Sequence, residues 1–172
     1  MIIKLLLDGA FTGNALEVVG DAGVLKRAAE IFGCRADVVP AGEEGSVLCC
    51  QQYRVPLREL SMLSAASLQY GQPDRACGRA MADYVEYAAR CCLDGEAAGM
   101  VTCPINKAAI NAAGISFPGH TELLAERCGV EKVVMMLAGE RLKVCLVTTH
   151  LAYRDVPQRL TSREIFETIR IT

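Results

Sequence analysis

The chain has 172 residues, 52% hydrophobic and 22% charged, with a net charge of −2 at neutral pH. This length predicts one large domain or one and a half around a substantial core, and the composition excludes a disordered chain. The charge balance and the lack of a dense Lys/Arg block argue against a nucleic-acid binder, and the absence of tryptophan predicts a core of Ala, Val, Leu, Ile and Met.

The start, MIIKLLLDGAF, holds one lysine in a short apolar run without a small-residue cleavage site. It fits neither a signal peptide nor a membrane span. LEVVG, closed by Gly20, reads as a short strand, and AGVLKRAAEIFG as a helix that stops at Gly33. RADVVP is a second short strand, ended by Pro40. Between about residues 42 and 72 the pattern is weak and reads as strands and loops.

From Pro73 to Gly95 a long helix is expected, with Met81, Tyr84, Val85, Ala88 and Cys92 along one face. AAGMVTC then reads as a buried strand, and PINKAAINAAG as a short helix stopped by Gly114. In FPGHTELLAERCG, His120 follows a Pro-Gly turn where another short helix should begin. KVVMMLAGERLKVCLVTTH reads as two apolar strands around a turn at Gly139, a hairpin with His150 at its end. TSREIFETIRIT opens with a T-x-x-E capping box at Thr161 and Glu164. Strands alternating with helices give an α/β fold class.

The chain has nine cysteines, an odd number, with Cys49-Cys50 and Cys91-Cys92 adjacent and no C-x-x-C. This spacing argues against a disulfide framework or a zinc site. The expectation is small buried hydrophobes in a reducing cytosol.

Polar residues gather at three strand-to-helix junctions: VTCPINK, FPGHTE and VTTHLAYRDVP. In open α/β sheets, ligands collect at such places. At the expected helix start, backbone N–H groups and the dipole favour an anion, and His120 and Thr121 can add hydrogen bonds. The alternative is that Thr121 caps the helix while His120 packs or faces water. His150 is either a metal ligand or a hydrogen-bonded structural histidine. Lys107 could meet a phosphate or carboxylate, or be a solvated helix-end lysine. Arg154 and Asp155 could be an ion pair tying down the loop before Pro157. The pattern alone names no reaction.

Three motifs, P-I-N-K, F-P-G-H-T-E and T-T-H-L-x-x-R-D, occur in order over about residues 101 to 157. In them the chain resembles the 4-hydroxythreonine-4-phosphate dehydrogenase family of vitamin B6 biosynthesis; VVGDAGVL and the long helix resemble it more loosely. The resemblance implies that His120 and Thr121 bind the phosphorylated substrate and that His150 ligates a divalent metal: zinc, magnesium or cobalt. It gives Lys107 no role. It implies an α/β fold like isocitrate and isopropylmalate dehydrogenases, with two domains flanking a cleft. About residues 1–100 would belong to the first domain, and 101–172 to the cleft segment and the start of the second.

The implied activity is NAD- or NADP-dependent oxidation of 4-phosphohydroxy-L-threonine to a 3-keto acid that decarboxylates, in a cytoplasmic homodimer. Related members act on phosphorylated sugar acids such as phosphothreonate, or on cyclic diols. The family opens with a glycine-rich segment before its first helix, whereas this chain opens at MIIKLLLDGAF, inside that helix. The family also uses two further metal-binding histidines, whereas His120 and His150 are the two histidines of this sequence. The expectation is thus the first half of a family member, inactive on its own, or a non-catalytic anion-binding fragment.

Overall fold

The opening run folds as helix α1 (Ile2–Leu7), with Ile3 and Leu6 buried about one turn apart. The structure, a computed structural model, describes residues 1–9, 13, 15–42 and 45–172. Phe11, at the end of the opening stretch, lies outside the described residues. Strand β1 (Val18–Gly20) leads into α2 (Ala22–Ile31), and Gly33 ends that helix in the left-handed region at φ 65°. There a residue with a Cβ is strained, which is why the sequence stop was readable. β2 (Ala36–Pro40) follows as expected.

The weakly patterned stretch contains β3 (Ser46–Cys50) and β4 (Tyr53–Glu59). The sheet order is β1-β4-β3-β2, with β1 parallel to β4 and the remaining pairs antiparallel. Its core joins Ile3, Leu6, Leu25 and Ala29 of the helices to Leu48, Cys50, Val55 and Leu57 of the strands. Full burial of each larger side chain contributes about 1.5–3 kcal/mol.

Polar contacts hold the loop from 60 to 72 that periodicity leaves unread. Asp21 caps α2 by accepting from Val24 N (2.9 Å), and also accepts from Ser61 Oγ (2.9 Å) and Leu63 N (2.7 Å). Ser61 in turn hydrogen-bonds the Tyr84 hydroxyl. Arg27 donates to the carbonyls of Ala65 and Leu68 and lies over the Tyr70 ring, 4.8 Å from its centre.

Helix α3 (Arg75–Leu93) forms where expected, but its buried residues are Gly78, Ala80, Ala82, Val85 and Ala89. Of the residues expected on that face, Val85 alone is buried; Met81, Tyr84, Ala88 and Cys92 are half-buried. Small residues let neighbours approach, so they form the contact line and the larger ones flank it. A Cβ at position 78 would stand 2.1 Å from the Ala109 carbonyl oxygen of α4 (Lys107–Ala112). Backbone meets backbone there, and only glycine fits.

AAGMVTC forms no strand, and Val101 is 98% exposed. The correction has a simple cause: an apolar run becomes a strand only against a partner ladder, and no described strand pairs with it. The cysteine expectation also needs correction. All nine are free thiols, but Cys50 alone is buried, while Cys103 and Cys128 are exposed.

The chain divides into two compact units, Met1–His120 and Thr121–Thr172. Helix α5 (His120–Cys128) begins at the boundary. In the second unit, β5 (Met135–Ala138) and β6 (Lys143–Leu146) form the expected antiparallel hairpin. A 3-10 turn (Tyr153–Asp155) runs into α6 (Val156–Arg159), followed by α7 (Ser162–Ile171). Half of the capping box forms: Glu164 N donates to Thr161 Oγ1 at 3.2 Å. The Glu164 carboxylate is instead taken by Lys132 at 2.7 Å, and that ammonium holds its pKa below the usual carboxylate value.

Candidate functional site: a braced turn before a helix

The F-P-G-H turn is held from α4. Asn106 caps that helix, its side chain accepting from Ala109 N at 2.9 Å. Lys107 and Asn111, four residues apart on one face, then reach forward to the turn. The Lys107 ammonium donates to the Pro118 carbonyl at 2.6 Å, and Asn111 Oδ1 accepts from Phe117 N at 3.0 Å. Lys107 is therefore not a freely solvated helix-end lysine; it braces the turn through one of its three N–H donors. The sequence reading missed Asn111, although its i,i+4 spacing from Lys107 was a usable signal.

Phe117 is buried, and its ring meets the imidazole of His120 edge to face, with centroids 5.8 Å apart. This contact orients His120, the first residue of α5. Its Nε2 is buried without a hydrogen-bond partner among the described residues. Leaving such an atom unpaired costs about 1–3 kcal/mol, so a ligand that paired with it would recover that. Thr121 is the second residue of the helix and is exposed, so it does not cap the helix. The first N–H groups of α5 have no acceptor earlier in the helix. A partnerless imidazole nitrogen, a hydroxyl and backbone donors at the positive end of a dipole suit an anion.

His150 is not a strand residue. β6 ends at Leu146, and His150 lies four residues on, exposed, with a left-handed backbone at φ 56°. That conformation is uncommon outside glycine, though His adopts it more readily than most residues. Such strain concentrates at functional positions. Among the described residues no group of three His, Cys, Asp or Glu could hold a metal. Arg154 and Asp155 do pair, at 3.8 Å, but Arg154 is 88% exposed and the pair joins adjacent residues only. It ties down no loop and contributes little. A surface cleft of about 580 Å³ is lined by Arg75, Arg79 and the end of α4, and neither histidine is among its lining residues.

A family model described as pyridoxal phosphate biosynthetic protein PdxA matches residues 14–172, the span that contains all three motifs. The chain belongs to the PdxA family. It is similar to a 4-hydroxythreonine-4-phosphate dehydrogenase from Geobacter metallireducens, 48% identical over 158 residues, covering 90% of this chain and 45% of that protein. A second, from Trichlorobacter lovleyi, is 39% identical over 173 residues, covering 100% of this chain and 52% of the relative. The crystal structure of a 4-hydroxythreonine-4-phosphate dehydrogenase from Burkholderia phymatum matches with a TM-score of 0.82 at 28% identity, over 98% of this chain and 51% of that one. One from Klebsiella pneumoniae gives a TM-score of 0.76 at 30% identity, over 98% and 50%. The chain spans about half the length of the curated PdxA relatives it matches.

Proposed function

We propose that this chain is the substrate-anchoring part of a 4-hydroxythreonine-4-phosphate dehydrogenase. The activity is oxidation of the 3-hydroxyl of 4-phosphohydroxy-L-threonine to a keto acid that loses CO2, with NAD or NADP as the hydride acceptor. The single observation carrying the reading is the buried, partnerless Nε2 of His120 at the head of α5, on a turn braced by Lys107 and Asn111. His120 and Thr121 would hold the phosphorylated substrate, fixing its reacting carbon relative to the rest of the site. Family membership supports this assignment, as do the printed names of the relatives.

His150 is proposed as one ligand of a divalent metal (zinc, magnesium or cobalt). A catalytic site of this kind needs about three protein ligands. The described residues bring no such group together, so they do not by themselves fit the metal. The scaffold is proposed to be of the isocitrate dehydrogenase type, with a domain division near residue 100. The protein is proposed to be a cytoplasmic homodimer. The exposed apolar strands β5 and β6 support an assembly that covers them. No helix among the described residues is long and apolar enough to cross a membrane.

The same missing ligands favour a second reading for residues 1–172 taken alone: anion binding without turnover. Metal-dependent NADH formation by these residues alone would exclude it. A paralogous substrate such as phosphothreonate would use the same anchor, and comparing turnover of the two compounds by the complete enzyme separates them.

The anchor is tested by calorimetry with 4-phosphohydroxy-L-threonine. Thr121→Val should keep the fold and weaken binding by about 1 kcal/mol or more, roughly fivefold in Kd. Unchanged affinity would contradict the assignment.

A further inference from the structure

We propose that Cys34 and Cys50 form a redox-responsive thiol pair, in which a small peptide disulfide of the glutathione class captures Cys34 and Cys50 then closes the bridge. The two Sγ atoms, one at the α2–β2 junction and one at the end of β3, are 3.3 Å apart. The register explains the approach: Ala36 is the antiparallel partner of Cys50, and Cys34 lies two residues before it. Closing a disulfide needs the sulfurs to move together by about 1 Å. Cys34 sits in a junction outside regular structure, beside Gly33 with its left-handed backbone; its N–H donates to the Ala29 carbonyl at 3.1 Å, and its thiol donates to the same oxygen at 3.3 Å, a bond given up as the bridge closes.

Access is one-sided. Cys34 lines a surface cleft of about 490 Å³ together with Lys26, Glu30, Gly33, Arg35 and Ala36. The lining offers two cations and a carboxylate, with Arg35 also paired to Asp37 at 3.2 Å. A peptide disulfide carrying carboxylates and ammonium groups finds complementary charges there. Cys50, by contrast, is sealed in the core at 0% exposure. Burial and the adjacent Cys34 thiol push the Cys50 thiol up to about 11, so Cys34 is the group that reacts first.

The chemistry balances. The Cys34 thiolate attacks one sulfur of the disulfide, its S–S bond breaks, and one glutathione thiolate leaves. Cys50 gives its proton to the glutathione thiolate released in the first step, attacks the Cys34 sulfur and expels the second glutathione. Two protein thiols are oxidised to one disulfide, and one glutathione disulfide is reduced to two thiols. The bridge ties the end of α2 to the central sheet, and a reducing thiol reopens it. This pair is independent of the His120 anchor.

The test treats the 172-residue chain with oxidised glutathione, blocks remaining thiols and maps tryptic peptides without reduction. A Cys49→Ser background removes the ambiguity of the adjacent cysteine. The expected result is peptide 28–35 joined to peptide 36–54 with the loss of two hydrogens, and no glutathione retained on Cys34. In Cys50→Ser, glutathione should remain on Cys34. The oxidised protein should melt at a higher temperature, returning to the original midpoint on reduction. Unlinked peptides, with glutathione on the exposed Cys103 and Cys128 but none on Cys34, would overturn the proposal. So would a Cys50→Ser protein whose Cys34 stays unmodified.

Discussion

Strands β3 and β5 look alike in sequence, SVLCC and MMLA, yet they end in opposite surroundings. Leu48 of β3 is fully buried, packed with Ile3, Leu6 and Leu57 beneath helices α1 and α2. In the second unit, Met135, Met136 and Leu137 are 42%, 43% and 59% exposed, and their hairpin is a two-stranded sheet. Such a hairpin is marginal in water by itself. An apolar run therefore announces a strand but not what covers it. The first unit supplies its own cover; the second presents an apolar face of the kind that a partner or further chain buries.

The largest expected effect breaks or upholds that contrast. Leu48→Ala should cost about 2–5 kcal/mol in urea unfolding, because it empties a closed core site. Leu137→Ala should change the stability of the isolated chain by about 0.5 kcal/mol or less. Equal losses at both positions would mean that the hairpin is already covered in solution. Gly78→Ala comes next. Its new methyl would overlap the Ala109 carbonyl, so α3 and α4 must separate, at about 1–3 kcal/mol. A neutral result in the same unfolding assay would show that the helices are not in backbone contact.

Lys107→Met sharpens the contrast more gently, since it removes one hydrogen bond from an exposed brace. Global stability should fall by about 1 kcal/mol or less. Affinity for the phosphorylated substrate should fall with it, because the turn carrying His120 loses its hold on Pro118. A change in stability with no change in affinity would separate the brace from the anchor.

Much of this fold was legible in the chain. The helix stops at Gly33 and Gly114, the α3 span and the hairpin at Gly139 all follow from local chemistry: a positive φ, a 3.6-residue period, a turn between apolar runs. What failed depended on partners distant in sequence. AAGMVTC looked like a strand because apolarity is local, whereas pairing is not. The contact line of α3 differs from its most apolar stripe because Gly78 and the alanines, not the larger side chains, permit the close approach. The loop from 60 to 72 is set by Asp21 and Arg27, about forty positions away, through hydrogen bonds that leave no periodic trace. At the site, the motifs singled out His120, Thr121 and His150, but the braces from Lys107 and Asn111 emerge only from the three-dimensional contacts.

The central claim, that His120 at the head of α5 meets the phosphorylated substrate, has a direct spectroscopic test. The chain has two histidines, so imidazole NMR resonances can be assigned with single His→Gln variants. On titration with 4-phosphohydroxy-L-threonine without divalent metal, the His120 ring nitrogens should shift and saturate. His150 should stay in place, and the Thr121→Val chain should need more ligand for the same shift. Saturable binding that leaves the His120 resonances unmoved would contradict the account.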